Sequence, residues 1–171
     1  MKRKPSTAVD NVFIALEFDR YGWSRFRLNH DKTSVCYRVS DVFSDFVAEM
    51  LMLCEHVLKN EPVRIALCDE PGGAVIALAP NASQHHIVRL TIEDIHCELA
   101  GFEADATGPV ALSIDMKRKH LFAEVFSQIW KTRYLLKEPS YQRERVVFPE
   151  QRLIDLNRAW DESNLGPSFL K

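Results

Sequence analysis

Two acids, a proline and two glycines stand together at Asp69-Glu70-Pro71-Gly72-Gly73. Carboxylates on an exposed loop can take a cation or a basic partner, and a Gly-Gly pair can turn its amides toward an anion. A phosphate loop needs more: no Lys-Ser or Lys-Thr follows, and no G-x-G-x-x-G pattern occurs. Turn chemistry accounts for the segment by itself, because Pro and Gly supply the backbone angles of a hairpin.

His85-His86 and His96-Cys97 bracket one alternating run. Imidazole and thiolate are good zinc ligands. Adjacent strand residues point to opposite faces, however, and the ends of such a strand lie roughly 30 Å apart at 3.3 Å per residue. Cys54-Glu55-His56 has the same difficulty on a helix, where neighbours diverge by about 100°. The four cysteines, Cys36, Cys54, Cys68 and Cys97, form no Cys-x-x-Cys pair, and each sits in an apolar run. The expectation is four buried free thiols. No G-x-S-x-G elbow or H-E-x-x-H helix is present. No motif calls for a cofactor or a resident metal.

Lys117-Arg118-Lys119-His120 opens an apolar-periodic stretch, and Lys131, Arg133 and Lys137 continue it. Cations at a helix N-terminus oppose its dipole, so the cluster carries a local cost. It is the one candidate nucleic-acid or anionic-lipid patch. Tyr21, Trp23, Tyr141 and Trp160 are candidate anchors for a protein partner or members of the core.

The elements that must position these residues follow from periodicity. Val12–Phe18, Trp23–Asn29 and Thr33–Val39 alternate with period two and are joined by short polar turns, which predicts an antiparallel meander. Phe43, Phe46, Val47, Met50, Leu51, Cys54, Val57 and Leu58 recur at three- and four-residue spacing. That stripe predicts a helix from about Val42 to Lys59, capped by Ser40 or Asp41 and stopped before Pro62. Val63–Cys68, Ala74–Ala79, His86–Ile92 (with room to run on to about Leu99) and Val110–Ile114 read as strands. Ala100–Pro109 reads as a loop. A long helix from about Lys117 to Lys137 follows, and Pro139 ends it. Tyr141–Phe148 reads as a linker, and Pro149 suits the first turn of a short terminal helix lined by Leu153, Leu156 and Trp160.

Strand and helix runs are segregated rather than alternating. The pattern predicts an α+β fold, an antiparallel sheet of about six to seven strands with two long helices and a short C-terminal helix packed on one face. Residues 1–10 are expected to be a mobile leader, 11–164 one domain and 165–171 a frayed tail.

The whole chain has 171 residues, a formal charge of −2, 46% hydrophobic and 27% charged residues. That usage is globular and argues against disorder. The charge lacks the basic excess of a nucleic-acid binder. No window approaches the roughly 20 apolar residues that span a bilayer. The basic start Met1–Lys4 is followed by a short apolar stretch holding Glu17 and by no small-residue cleavage site, which predicts a cytoplasmic protein without membrane association.

Gly22-Trp23 opening a strand, Val39-Ser40-Asp41 before a helix, a strand turning on Glu70-Pro71-Gly72, and a closing Phe148-Pro149 and Leu153 segment together resemble small bacterial proteins, some of them immunity proteins beside polymorphic or contact-dependent toxins. The resemblance covers much of Val12 to Trp160. It implies a cytosolic inhibitor that occludes a cognate toxin's active site and has no catalytic apparatus of its own. For such a role the acidic contacts are Asp69, Glu70, Glu93, Asp94, Glu103 and Asp105, because loop or strand-end carboxylates can meet a basic active site. The alternatives are a small enzyme assembled from dispersed His and carboxylate residues, and a nucleic-acid binder using Lys117–His120.

Overall fold

The computed structural model describes residues 8–9, 11–69, 72–95, 107–163 and 165–167. Strands β1 (Val12–Phe18), β2 (Trp23–His30) and β3 (Thr33–Ser40) form the expected antiparallel meander. Tyr21, Gly22 and Asp31 carry positive φ in its two turns. The register sets Ile14 beside Leu28 and Leu28 beside Val35, and Leu16 beside Phe26 and Phe26 beside Tyr37. These side chains share the core face, since residues two apart in a strand point the same way.

Helix α1 spans Phe46–Lys59. Its N-cap is Asp45, whose carboxylate accepts from the Ala48 amide at 3.0 Å, rather than Ser40 or Asp41. Those two residues are spent elsewhere. The Ser40 carbonyl takes the amides of Phe43 and Ser44, and Asp41 turns inward toward Arg145. Ser44 Oγ then accepts from the Cys68 amide and donates to the Ala66 carbonyl, both at 3.3 Å.

A second antiparallel sheet runs in chain order through β4 (Val63–Asp69), β5 (Gly72–Pro80), β6 (Ile87–Ile95) and β7 (Val110–Lys117). Asp69 pairs with Gly72, so only residues 70 and 71 join β4 to β5. Gly72 and Gly73 have φ of 115° and 150°, a region that side chains strain to enter. The glycine pair therefore serves the hairpin.

The seven strands are two sheets, of three and four strands, where a single sheet was expected. β3 lies against β4 without joining its ladder. Two groups on β4 that a neighbouring strand would pair, Ala66 C=O and Cys68 N–H, are bonded to the Ser44 side chain. Where the sheets meet, the Tyr37 hydroxyl on β3 donates to Asp94 on β6.

Helix α2 (Arg118–Leu135) rests on β1, β7 and α1, and helix α4 (Glu150–Ser163) rests on α1. Between them, Pro139 opens a one-turn helix α3 (Pro139–Gln142). The terminal helix was expected to be short, yet at 14 residues it matches α1. Its Trp160 is buried and stacks on Phe122 with ring centroids 4.3 Å apart and planes 8° apart. Trp160 Nε1 donates to the Pro167 carbonyl at 2.8 Å. A Cβ on Gly166 would lie 2.5 Å from the Trp160 ring, so only glycine passes there. At the other end of the chain, the Val9 amide donates to the Asp115 carbonyl at 2.8 Å. Among the described residues no helix is long and apolar enough to cross a membrane.

Candidate functional site

Of the six acidic residues, Asp69, Glu93 and Asp94 are among the described residues. Glu93 and Asp94 are neighbours on β6 and point to opposite faces. Glu93 holds the Arg64 guanidinium through two bonds of 3.1 Å, and that partner lowers its carboxyl from the usual range. Asp94 accepts the Tyr37 hydroxyl; burial, with this bond second, pushes the phenol well above its ordinary value. Asp69 is half-buried at the end of β4. Glu70, Glu103 and Asp105 lie outside the described residues. Tyr37→Phe is expected to cost about 1.5–3 kcal/mol, the usual worth of a hydrogen bond to a charged group. Urea unfolding reads this, and an unchanged midpoint would show that the two sheets do not depend on the bond.

His85 and His86 are exposed in the β5–β6 connection, while His96 and Cys97 lie outside the described residues. No group of three His, Cys, Asp or Glu among the described residues is placed to hold a metal. Cys54 and Cys68 are buried, but Cys36 is exposed, which corrects the expectation for that thiol. Its neighbours Val35 and Tyr37 face the core, so strand parity turns Cys36 outward, opposite Arg27.

The basic cluster is partly structural. Arg118 sends Nε to the Val57 carbonyl at 3.0 Å, Nη2 to Leu58 at 2.7 Å and Nη1 to His85 at 3.1 Å. It thus caps the C-terminal carbonyls of α1. A cation that costs energy at the start of α2 is repaid at the negative end of α1.

The most developed polar constellation lies elsewhere. The side chain of Arg145, in the segment between α3 and α4, is 3% exposed, and that of its ion-pair partner Asp41, at 2.9 Å, is 8% exposed. The same guanidinium donates to Ser24 Oγ at 2.8 Å, to the Asp19 carbonyl at 2.8 Å, to the Tyr141 carbonyl at 3.0 Å and to the Trp23 carbonyl. It also lies over the Phe18 ring. Burial pushes the Asp41 carboxyl up to about 6 against the pull of Arg145, and burial lowers Arg145 in turn. Gly22 permits this closure: a Cβ there would come within 2.8 Å of the Glu144 carbonyl.

Three distant segments therefore converge on one spot, residues 21–24, 41–44 and 143–147. Each brings exposed apolar side chains: Tyr21; Val42 and Phe43; Val146 and Val147. Val42 is 84% exposed and Val147 80%, unusual for β-branched side chains. Of the four aromatic anchors read from the sequence, only Tyr21 is an exposed member of this surface. Trp160 is core, Tyr141 packs partly against the core, and Trp23 lies under the Arg38 guanidinium at 3.9 Å. Asp41 was read as a helix cap, and Arg145 did not stand out; the signal that could have joined them is a charged residue beside apolar neighbours, Asp41-Val42-Phe43 and Arg145-Val146-Val147-Phe148.

No protein-family model, no curated protein and no solved structure matches this chain.

Proposed function

We propose that the chain is a binding protein that docks a protein partner on the surface made by Tyr21, Val42, Phe43, Val146 and Val147. One observation carries this reading: three segments far apart in sequence are locked together by Arg145, and each exposes apolar side chains at the junction. Isolated exposed apolar residues need no explanation, but a convergent group is typical of interaction sites. The buried ion pair fixes the backbone beneath it, so little ordering cost remains when a partner docks. Aromatic and β-branched side chains at such a site lose water with few rotamers to freeze.

The resemblance to immunity-type proteins makes a cognate toxin domain, met in the cytoplasm, the partner to test. The contact would then be chiefly apolar, with acidic residues adding a charged rim; Glu93 and Asp94 each already hold an internal partner. The enzyme reading has weaker support: His85 and His86 are exposed on a connection, and Glu93 and Asp94 diverge. So has the nucleic-acid reading, whose Arg118 is engaged by α1.

The test pairs the chain with the product of the adjacent gene, in pull-down and in a cell-protection assay. Wild type should form a complex and protect. Val42→Asp with Val147→Asp should fold normally, as both side chains are solvent-facing, yet lose at least about a hundredfold in affinity, or ~2.7 kcal/mol. Capture of the partner by the double variant at wild-type affinity would remove this surface from consideration. Absence of any complex and of protection would remove the immunity role.

A further inference from the structure

The two sheets part between β1 and β7, and α2 roofs the gap. Val9 bridges to Met116 in parallel. Farther along, the Ile14 amide of β1 points to no strand and meets Glu124 Oε2 at 3.4 Å. Between these contacts lies a cleft of about 190 Å³ lined by Val9, Val12, Met116, His120, Ala123 and Glu124.

We propose that this cleft binds a small primary amine with a single-ring apolar body. Size sets the first limit. Sites for drug-sized ligands and cofactors run to ~300–1,000 Å³, so nucleotides and larger cofactors are too big. At ~30 Å³ per water the cleft has room for about six waters, or for one ring and a short arm. The lining sets the second. Val9, Val12, Met116 and Ala123 make an apolar floor, and the Met116 thioether favours the edge of an aromatic ring. Charge sets the third. Among the described residues Glu124 is the one carboxylate of the lining, and there it is half-buried and has no ion-pair partner. Its single long contact to Ile14 leaves most of its acceptor positions open. An ammonium head would fill them with charge-assisted hydrogen bonds, whereas an anion would be repelled. The i, i+4 spacing of His120 and Glu124 keeps both polar heads on one side of α2.

Benzylamine is the probe, followed by amide shifts in ¹H–¹⁵N NMR of the whole chain at neutral pH. Saturable shifts are expected at Val9, Val12, Met116 and Ala123, with millimolar affinity suited to so few atoms. Benzyl alcohol and benzoate, of the same shape without the cation, should bind at least about tenfold more weakly to the wild-type chain. Glu124→Gln should show the same loss for benzylamine, and Ala123→Leu should abolish binding by filling the space. No saturable shift with benzylamine would mean a cleft filled by solvent only and would overturn the proposal. So would equal binding of benzyl alcohol, an outcome that depends on no variant.

Discussion

Arg145→Ala is expected to destabilise the chain by about 3–5 kcal/mol, the cost of leaving one member of a buried ion pair unpartnered. The guanidinium satisfies the Asp41 carboxylate, the buried Ser24 hydroxyl and the carbonyls of Asp19, Trp23 and Tyr141 together. Alanine takes that donor from each of them in a site that water hardly reaches, and only the Trp23 carbonyl is shown to keep another, the Asp19 amide. Asp41 suffers most, because its Oδ1 has no hydrogen bond even in the native state. Replacing both charges, Asp41→Asn with Arg145→Met, should cost less than Arg145→Ala alone, since no buried charge then remains. Chemical denaturation of the three proteins decides this. A loss below about 1 kcal/mol for Arg145→Ala would place the pair among surface ion pairs.

The same pair gives a pH dependence of unusual sign. The Asp41 carboxyl rises from its ordinary value of 3.8 to about 6 on folding, chiefly because burial penalises its charge. The folded state therefore holds that proton more tightly than the unfolded chain. The resulting stability is fully present below about pH 4 and is lost as pH rises through 6. Glu55 and Glu93 work the other way: arginine partners lower their carboxyls, so their contribution is lost on acidification. Total stability mixes the two trends. The difference between wild type and Asp41→Asn isolates the first and should grow in favour of wild type from pH 7 down to pH 4. Parallel stability profiles for the two proteins would contradict it.

Trp160→Ala is the other large effect, at about 3–5 kcal/mol for the loss of a fully buried aromatic. The indole stacks on Phe122, belongs to the main core and donates to Pro167. Its removal leaves a cavity among rigid neighbours and cuts the tie that holds residues 165–167. Thermal unfolding reads the first effect. Faster amide exchange at Leu165 and Gly166 reads the second. A stability loss with no change in exchange there would show that the terminal segment is held by other contacts.

How far the sequence carried differs between local and distant structure. Period two gave β1 and β2 to within a residue because every second side chain from Ile14 to Phe18 and from Ser24 to Leu28 is buried. The Pro-Gly chemistry of 69–73 foretold a hairpin for the same local reason, though Asp69, Gly72 and Gly73 belong to its strands rather than its loop. The start of α1 was misplaced because Asp41 has the chemistry of a cap. Whether a short carboxylate caps a helix or pairs with an arginine 104 residues away is decided by tertiary structure. Arg145 sat in a segment read as a linker, since no spacing rule connects it to Ser24 or Trp23. Cys36 was legible but overruled: the alternation that buries Val35 already pointed it outward. The division into two sheets had no local signature at all.

Ser44 has a consequence beyond the bonds it makes. β4 ends its sheet, and an unpaired outer strand is a template on which a second chain can extend the ladder. The Ser44 hydroxyl supplies one acceptor and one donor at the positions where an incoming strand would place its own amide and carbonyl. One side chain from a connecting segment thus acts as a guard against edge-to-edge aggregation. The protection depends on the β3–α1 connection remaining docked, and therefore on the same folding event that builds the exposed surface beside it.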